Sequence, residues 1–395
     1  MKFTLVTLLF FGAAFADPPN LDESIETLAT GNRLFNTAVY KETLKTNKGN
    51  IIFSPFSAAT VLSLASEGAK NVTKSELIEA LHLSAESEKN QEAFKQLLPK
   101  LSIQTPYVSL LSANKIYADD GVTLEDAFKK IAVNIYRSDV ENVKFAENIE
   151  AAIRINRWVE DQTRRKIKNL IESDEINADT VLVLVNALYL RADWFHPFTK
   201  SSTHPQKFYR TTSDFKEVDM MHNVALFGYY ENTELNTRFI NLRFKYEGLS
   251  MVIALHNEIE GITTLQDNLE EVFKSQPWKP EFVDLKLPKF SISSSINFVN
   301  ILRALGVEKI FDEAQADLSG LSTNRKNLYV SNVIQKAFIN VTEIGSEAAA
   351  ASAIMIQTRS GHMIGPNRKI FHADHPFIFY IKYHDVILFT GRYTF

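Results

Sequence analysis

Cysteine is absent from the 395 residues, so the chain can form no thiolate nucleophile, thiolate metal site or disulfide. The nine histidines are scattered, and the closest pair of interest, His372 and His375, is three residues apart. Two imidazoles at that spacing could share a metal ion, although histidines packed or solvated singly give the same pattern. There is no G-x-S-x-G elbow, no H-E-x-x-H pair, no phosphate-cradling P-loop and no G-x-G-x-x-G turn. A secreted hydrolase therefore lacks a nucleophile constellation, and the chain is expected not to be an enzyme and to need no cofactor. Arg164-Arg165-Lys166-Ile167-Lys168 could bind a polyanion such as a sulfated glycan. Cations that close a helix beside its negative pole would read the same way. Asn71-Val72-Thr73 and Asn340-Val341-Thr342 are glycosylation sequons. The first falls in a polar stretch and is expected to carry a glycan; the second falls in a strand-like apolar run and is expected to be shielded.

The most informative stretch is Glu343 to Ser360, EIGSEAAAASAIMIQTRS. Its alanines favour a helix by propensity. With a strand's period of two, however, Ser346, Ala348, Ala350, Ser352, Ile354 and Ile356 share one side. That side is small or apolar throughout and bears no charge, so it could slide into a sheet over a packed core. Gly345 supplies a hinge at no steric cost. Beyond Ile356 the chain turns polar, which leaves Arg359 exposed. An exposed arginine is what a protease pocket floored by a carboxylate recognises.

The elements that must hold this segment are helical first and then largely extended. Apolar spacing predicts helices over Ser24–Lys45 and Ser57–Leu83, the latter interrupted by a polar turn at Glu67–Thr73, and an amphipathic helix over Ala151–Lys168. Thr180–Leu190 is β-branched and apolar, as suits a strand buried on both faces. Shorter strands are expected at 208–209, 225–230, 239–244, 250–255 and 282–287. A short helix at Phe298–Leu305 should end at Gly306. Phe377–Tyr383 and Val386–Phe389, separated by His384-Asp385, read as a hairpin. No internal repeat is visible.

Composition sets the class. Charged residues are 23% and hydrophobic residues 45%, as in folded soluble chains, and the formal charge of −4 gives no footprint for nucleic acid. Glycine and proline number 14 and 12, too few to suggest long linkers, so one large body is expected. Lys2, the apolar run Phe3–Phe15 and Ala14-Phe15-Ala16 form a signal-peptide pattern with its cut before Asp17. No later stretch is long and apolar enough for a membrane span. The expectation is an extracellular α+β protein of one domain over 17–395, after a leader over 1–16.

Several motifs together resemble the serpin family, whose inhibitory members trap serine proteases by loop insertion. Glu343-x-Gly345-Ser346-Glu347 followed by four alanines and Ser352 is similar to the family's hinge. Ile52-Phe53-Ser54-Pro55-Phe56-Ser57, Asn186-Ala187-Leu188-Tyr189-Leu190 with Trp194, Phe198, Thr203 and Phe208, Leu287-Pro288-Lys289-Phe290, Ala316-Asp317-Leu318-Ser319-Gly320 and Ala373-Asp374-His375-Pro376-Phe377 match further family patterns in order. The resemblance implies helices around a large central mixed sheet, with a mobile reactive-centre loop at about 344–370. It implies a "shutter" under the sheet centre at Ser54, Pro55, Ser57, Asn186 and Gln335, where many members carry histidine in place of Gln335. It also implies a "breach" at Trp194, Lys289 and Glu343, with Lys289 and Glu343 as an ion pair. The hinge comprises Glu343, Gly345, Ser346, Ala348, Ala350 and Ser352. Counting fourteen residues from Gly345 puts the bait bond at Arg359–Ser360. The span from Arg359 to Pro376 is longer than in many members, so His362 and Met363 are alternative bait positions. The expected partner is a trypsin-like serine protease held in a covalent complex, and the inhibitor is expected to be a monomer that engages no nucleic acid or membrane. The alternative within the family is a non-inhibitory carrier or storage protein, whose hinge would be charged or bulky.

Overall fold

The computed structural model describes residues 23–322, 324, 327–346 and 368–395. The leader, hinge positions Ala348, Ala350 and Ser352, and the Arg359–Ser360 bond lie outside the described residues.

The first part of the chain is mostly helical. α1 (Glu23–Thr46) buries Ile25, Leu28, Phe35 and Val39. After β1 (Ile51–Phe53), α2 (Pro55–Gly68) begins at an N-cap: the Ser54 hydroxyl accepts from the Ser57 N–H, and Pro55 occupies the position where a missing N–H is harmless. Thirteen of its fourteen residues are buried, which makes it a core helix rather than an amphipathic one. α3 (Asn71–Ala80) follows after two residues, so the break is shorter than the expected 67–73 turn, and Asn71 opens a helix. Asn71 has φ of 48°, a left-handed value that asparagine tolerates. Next come α4 (Ser87–Leu101), β2 (Val108–Asp119), α5 (Asp126–Asn134), β3 (Asp139–Val143) and α6 (Asn148–Gln162). The helix expected to run to Lys168 thus stops six residues sooner. Buried Thr163 directs both its N–H and its hydroxyl to the Val159 carbonyl, and Arg164 and Arg165 then turn left-handed with φ of 50° and 60°.

Strands dominate thereafter: β4 (Leu182–Ala192), β5 (His204–Tyr209), β6 (Phe215–Asn232), β7 (Thr237–Arg243) and β8 (Leu249–His256). Two short helices, α7 (Ile262–Asp267) and α8 (Leu269–Phe273), precede β9 (Lys279–Pro288) and β10 (Phe290–Asn297). α9 (Val299–Ala304) is followed by Gly306 at φ 88°. The chain then forms β11 (Val330–Val341), β12 (Lys369–His372) and the hairpin β13 (Phe377–Tyr383) and β14 (Val386–Tyr393).

Among the described residues these strands form two sheets. The larger runs β1-β14-β13-β8-β7-β6-β9-β12, with β5 also paired to β6. The smaller, β10-β11-β4-β2-β3, has two parallel neighbours at its centre, β11 and β4. Both faces of that centre are covered. Leu182, Leu184, Leu188 and Leu190 of β4 join the main core with α2, whereas Val183, Val185 and Ala187 join a second cluster with Ile155 and Val159 of α6. This explains why the β4 sequence is apolar on both faces, with Asn186 the single polar residue before Arg191.

Candidate functional site

Three polar side chains interrupt the core face of the smaller sheet in a single row. Asn114 of β2 faces Asn186 of β4, and Gln335 of β11 faces Asn186 from the other side. Asn186 Nδ2 donates to Asn114 Oδ1 and to the Ser57 hydroxyl, and Gln335 Nε2 donates to Asn186 Oδ1 at 2.6 Å. Beneath the row, the start of α2 completes the network. Gln335 Oε1 accepts from the Ser54 N–H at 2.7 Å, and Gln335 Nε2 donates to the Ser54 carbonyl at 2.8 Å. The Ser54 hydroxyl donates to the Leu388 carbonyl at 2.6 Å, and the Ser57 hydroxyl to Asn114 Oδ1 at 3.2 Å. The structure thus brings Ser54, Ser57, Asn186 and Gln335 together, with Pro55 opening the helix between them. It adds Asn114, which sequence reasoning missed; a lone asparagine in an unassigned strand gave no signal.

The seam between β4 and β11 is already occupied at its upper end. After β11 the chain turns through Thr342–Ile344 and comes back on itself. The Ser346 N–H donates to the Ala192 carbonyl at 2.8 Å, and its hydroxyl accepts from the Ala192 N–H at 2.8 Å. On the other side the Ser346 carbonyl accepts from the Asn340 N–H at 3.3 Å. Gly345 bridges Asp193 in antiparallel sense, and its carbonyl accepts from the Thr342 N–H at 2.8 Å. A Cβ at 345 would lie 2.0 Å from the Ala192 carbonyl oxygen, so the close approach requires glycine. Ser346 is fully buried.

Just above, the Trp194 indole stacks on Phe244 at 4.4 Å, and its Nε1–H donates to the Thr342 carbonyl at 2.9 Å. The Trp194 N–H donates to the Ile344 carbonyl and the Phe198 N–H to the Glu343 carbonyl, pinning the turn. The nearly buried Glu343 carboxylate accepts from the Thr203 hydroxyl at 3.0 Å and lies 3.3 Å from Lys289 Nζ. Burial pushes the Glu343 carboxyl up. Hydrogen bonds from its own backbone, Thr203 and Lys289, together with the lysine charge, outweigh this and hold it below its ordinary value.

The remaining candidates are dispersed. His372 Nε2 contacts Asp284 Oδ1 at 3.0 Å, whereas buried His375 bonds Asp374 and the His256 carbonyl, so the pair shares no ligand position. Among the described residues no group of three or more histidines and carboxylates could hold a metal ion. Asn71 is exposed, with its amide donating to Asp317; Asn340 is half-buried on β11 beside Ser346. Arg164, Arg165, Lys166 and Lys168 are exposed on the turn after α6.

The family model described as "Serpin (serine protease inhibitor)" matches residues 30–394. Among curated relatives, "Antitrypsin" of Bombyx mori is 33% identical over 96% of this chain and 96% of its own length. "Antichymotrypsin-2" of the same organism is 34% identical over 92% and 97%. Among solved structures, Serpin48 of the insect Tenebrio molitor, described as a highly specific serpin, superposes with a TM-score of 0.87 at 40% identity, covering 94% of this chain and 98% of that one.

Proposed function

The chain belongs to the serpin family, described as serine protease inhibitors, and from this premise we propose that it is a secreted suicide-substrate inhibitor of trypsin-like serine proteases, not a catalyst, with Arg359–Ser360 as its bait bond. The observation that carries the reading is Gly345–Ser346 seated between the ends of β4 and β11 in antiparallel register: the segment that must become a new strand has its first residues in the sheet. The target's serine Oγ attacks the Arg359 carbonyl, the Ser360 amine leaves with a proton, and an ester joins Arg359 to the protease. The freed segment then runs down the seam as an added strand and carries the protease with it. The gain in ladder hydrogen bonds and burial releases strain stored in the uncleaved state. A displacement of about 1 Å in the protease's catalytic groups costs on the order of a hundredfold in rate, enough to stall hydrolysis of the ester. The small, uncharged inward side of the hinge favours this reading over a carrier or storage role. Secretion rests on the leader pattern over 1–16.

The test is a denaturing gel with bovine trypsin and with elastase, together with mass spectrometry of the released fragment. An SDS-stable complex with trypsin alone and a fragment beginning at Ser360 are expected, and Arg359→Ala should abolish both. Inhibition that survives Arg359→Ala would move the bait bond to His362 or Met363. Cleavage without a stable complex would favour the non-inhibitory alternative. N-terminal sequencing of the exported protein should begin at Asp17.

A further inference from the structure

The outer face of β6, β9 and β12 carries an apolar patch that the fold itself does not use. Phe282 is 52% exposed, Ile370 55% and Val224 39%. Register puts Val224 and Ile370 on either side of Asp284, with Phe282 one same-face position along β9. The opposite face, with Val283, Leu285 and Phe371, is fully buried, so the exposed side chains are not needed for the core. His222 reaches in from β6 and His372 from β12 to Asp284 Oδ1, at 3.2 and 3.0 Å. Burial pushes the Asp284 carboxyl up, but both imidazoles outweigh this and hold it below its ordinary value. Lys286 lies between the two histidines in register and is tied to Gln206, and Arg368 stands exposed at the start of β12. With one carboxylate against Arg368 and Lys286, the patch is apolar with a net positive rim.

The patch is also held firmly. Besides the His222–Asp284–His372 bridge, Lys369 pairs with Glu231 at 3.2 Å, and Arg238 Nη1 donates to the Ile370 carbonyl at 2.9 Å. Its position matters because β12 is the sheet's edge strand among the described residues, and Arg368 lies eight positions beyond Ser360. Eight residues span at most about 29 Å when fully extended. A protease domain of roughly 240 residues is about 45 Å across, by its expected radius of gyration. A protease docked at the bait bond is therefore large enough to reach this face.

We propose that Val224, Phe282 and Ile370, with Arg368 at their rim, form an exosite for the body of the docked protease, contacting a surface loop that presents an apolar side chain beside a carboxylate. The proposal rests on the inhibitory reading above. An exosite adds contact in the encounter complex but not in the insertion step. Phe282→Ser/Ile370→Ser should therefore raise the protease concentration that half-saturates trapping by about tenfold, for at least one of bovine trypsin, thrombin and plasmin. The limiting rate of trapping should not change. Ile149→Ser/Ile153→Ser on α6, exposed to the same degree at 57% and 54%, should leave both quantities unchanged. Thermal stabilisation after loop cleavage by a non-target protease should match wild type in both variants, showing that fold and insertion are intact. Half-saturation within twofold of wild type for all three proteases would overturn the exosite while leaving inhibition standing. So would wild-type dimerisation that the double substitution abolishes, since the occupant would then be a second copy. Absence of any covalent complex with wild type would overturn the inhibitory reading and the exosite with it.

Discussion

Ser346→Arg is the sharpest probe of insertion, because Ser346 occupies the seam before any cleavage. It takes part in four hydrogen bonds there: its N–H to the Ala192 carbonyl, its hydroxyl from the Ala192 N–H and to the Leu190 carbonyl, and its carbonyl from Asn340. An arginine that stays must bury a guanidinium where a hydroxyl now has no solvent exposure, at a cost of several kcal/mol. An arginine that leaves forfeits the four bonds, each worth about 0.5–1.5 kcal/mol, so about 2–6 kcal/mol in all. The chain takes the cheaper course, and the hinge withdraws. The same penalty then confronts the cleaved loop when it must start down the seam. If it appears in full in the insertion barrier, insertion slows by about 30- to 20,000-fold, and hydrolysis of the ester overtakes it. The assay is a denaturing gel with trypsin, combined with the recovery of active protease over time. Ser346→Arg should be cleaved at Arg359 at the wild-type rate, yield little covalent complex and release active trypsin. Ser346→Ala should lose only the two hydroxyl bonds, from the Ala192 N–H and to the Leu190 carbonyl, and still trap. Wild-type complex yield from Ser346→Arg would refute insertion through this seam.

Asn186→Leu should destabilise the protein by about 2–4 kcal/mol, because it strips polar partners from Asn114, Ser57 and Gln335 at a buried row; urea unfolding followed by tryptophan fluorescence would measure it. The Glu343 carboxyl is held below its unfolded value, so its contribution to stability is present above about pH 4.5 and is lost as pH falls through the depressed folded value. Lys289→Met should flatten the fall in thermal stability between about pH 5 and 3, and a slope identical to wild type would remove Lys289 from the account. Peptide mapping of the exported protein should find a glycan on Asn71 and little on Asn340, whose sequon threonine is buried with its hydroxyl bonded to the Gly345 carbonyl. Full occupancy at Asn340 would contradict the seam as drawn.

Elements that carry their own local signal were legible in the sequence. β4 is an apolar run broken before Arg191 only by Asn186, the β13–β14 hairpin is two largely apolar runs about a two-residue break, and α9 is closed by a glycine at positive φ. The end of α6 was not legible, because residues 163–168 keep helical composition; what stops the helix is the capping by Thr163 and two arginines in a conformation their type does not advertise. β2, β10 and Asn114 gave no local cue. The residues of the polar row could be named only through family likeness, since Asn186 and Gln335 are 149 residues apart and meet through strand register alone. The pattern of alternation from Ser346 to Ile356 implied a strand, but nothing in it said that Gly345 and Ser346 already lie within the sheet.

The register of those first two residues fixes the address of every residue that would follow them. Gly345 lies across from Asp193, and the opposite directions of the two segments mean that each further step along the hinge meets one step back along β4. Continued in this way, Ala348 comes opposite Leu190, Ala350 opposite Leu188 and Ile354 opposite Leu184, with Ile339, Ala337 and Val333 of β11 on the far side. Seven steps from Gly345 is Ser352, and seven steps back from Asp193 is Asn186, whose partner across the seam is Gln335. A strand driven between β4 and β11 must break the Asn186–Gln335 bond, and at that level it brings a hydroxyl, able both to donate and to accept. At the other inward levels beyond Ser346 it brings only methyl and butyl groups to meet aliphatic ones. Beyond Ser346 the hinge is thus spelled as the complement of the seam, polar only where the seam is polar. A hydrophobic side chain at 352, or a polar one at 350, would be a spelling error that the uncleaved molecule never has to read.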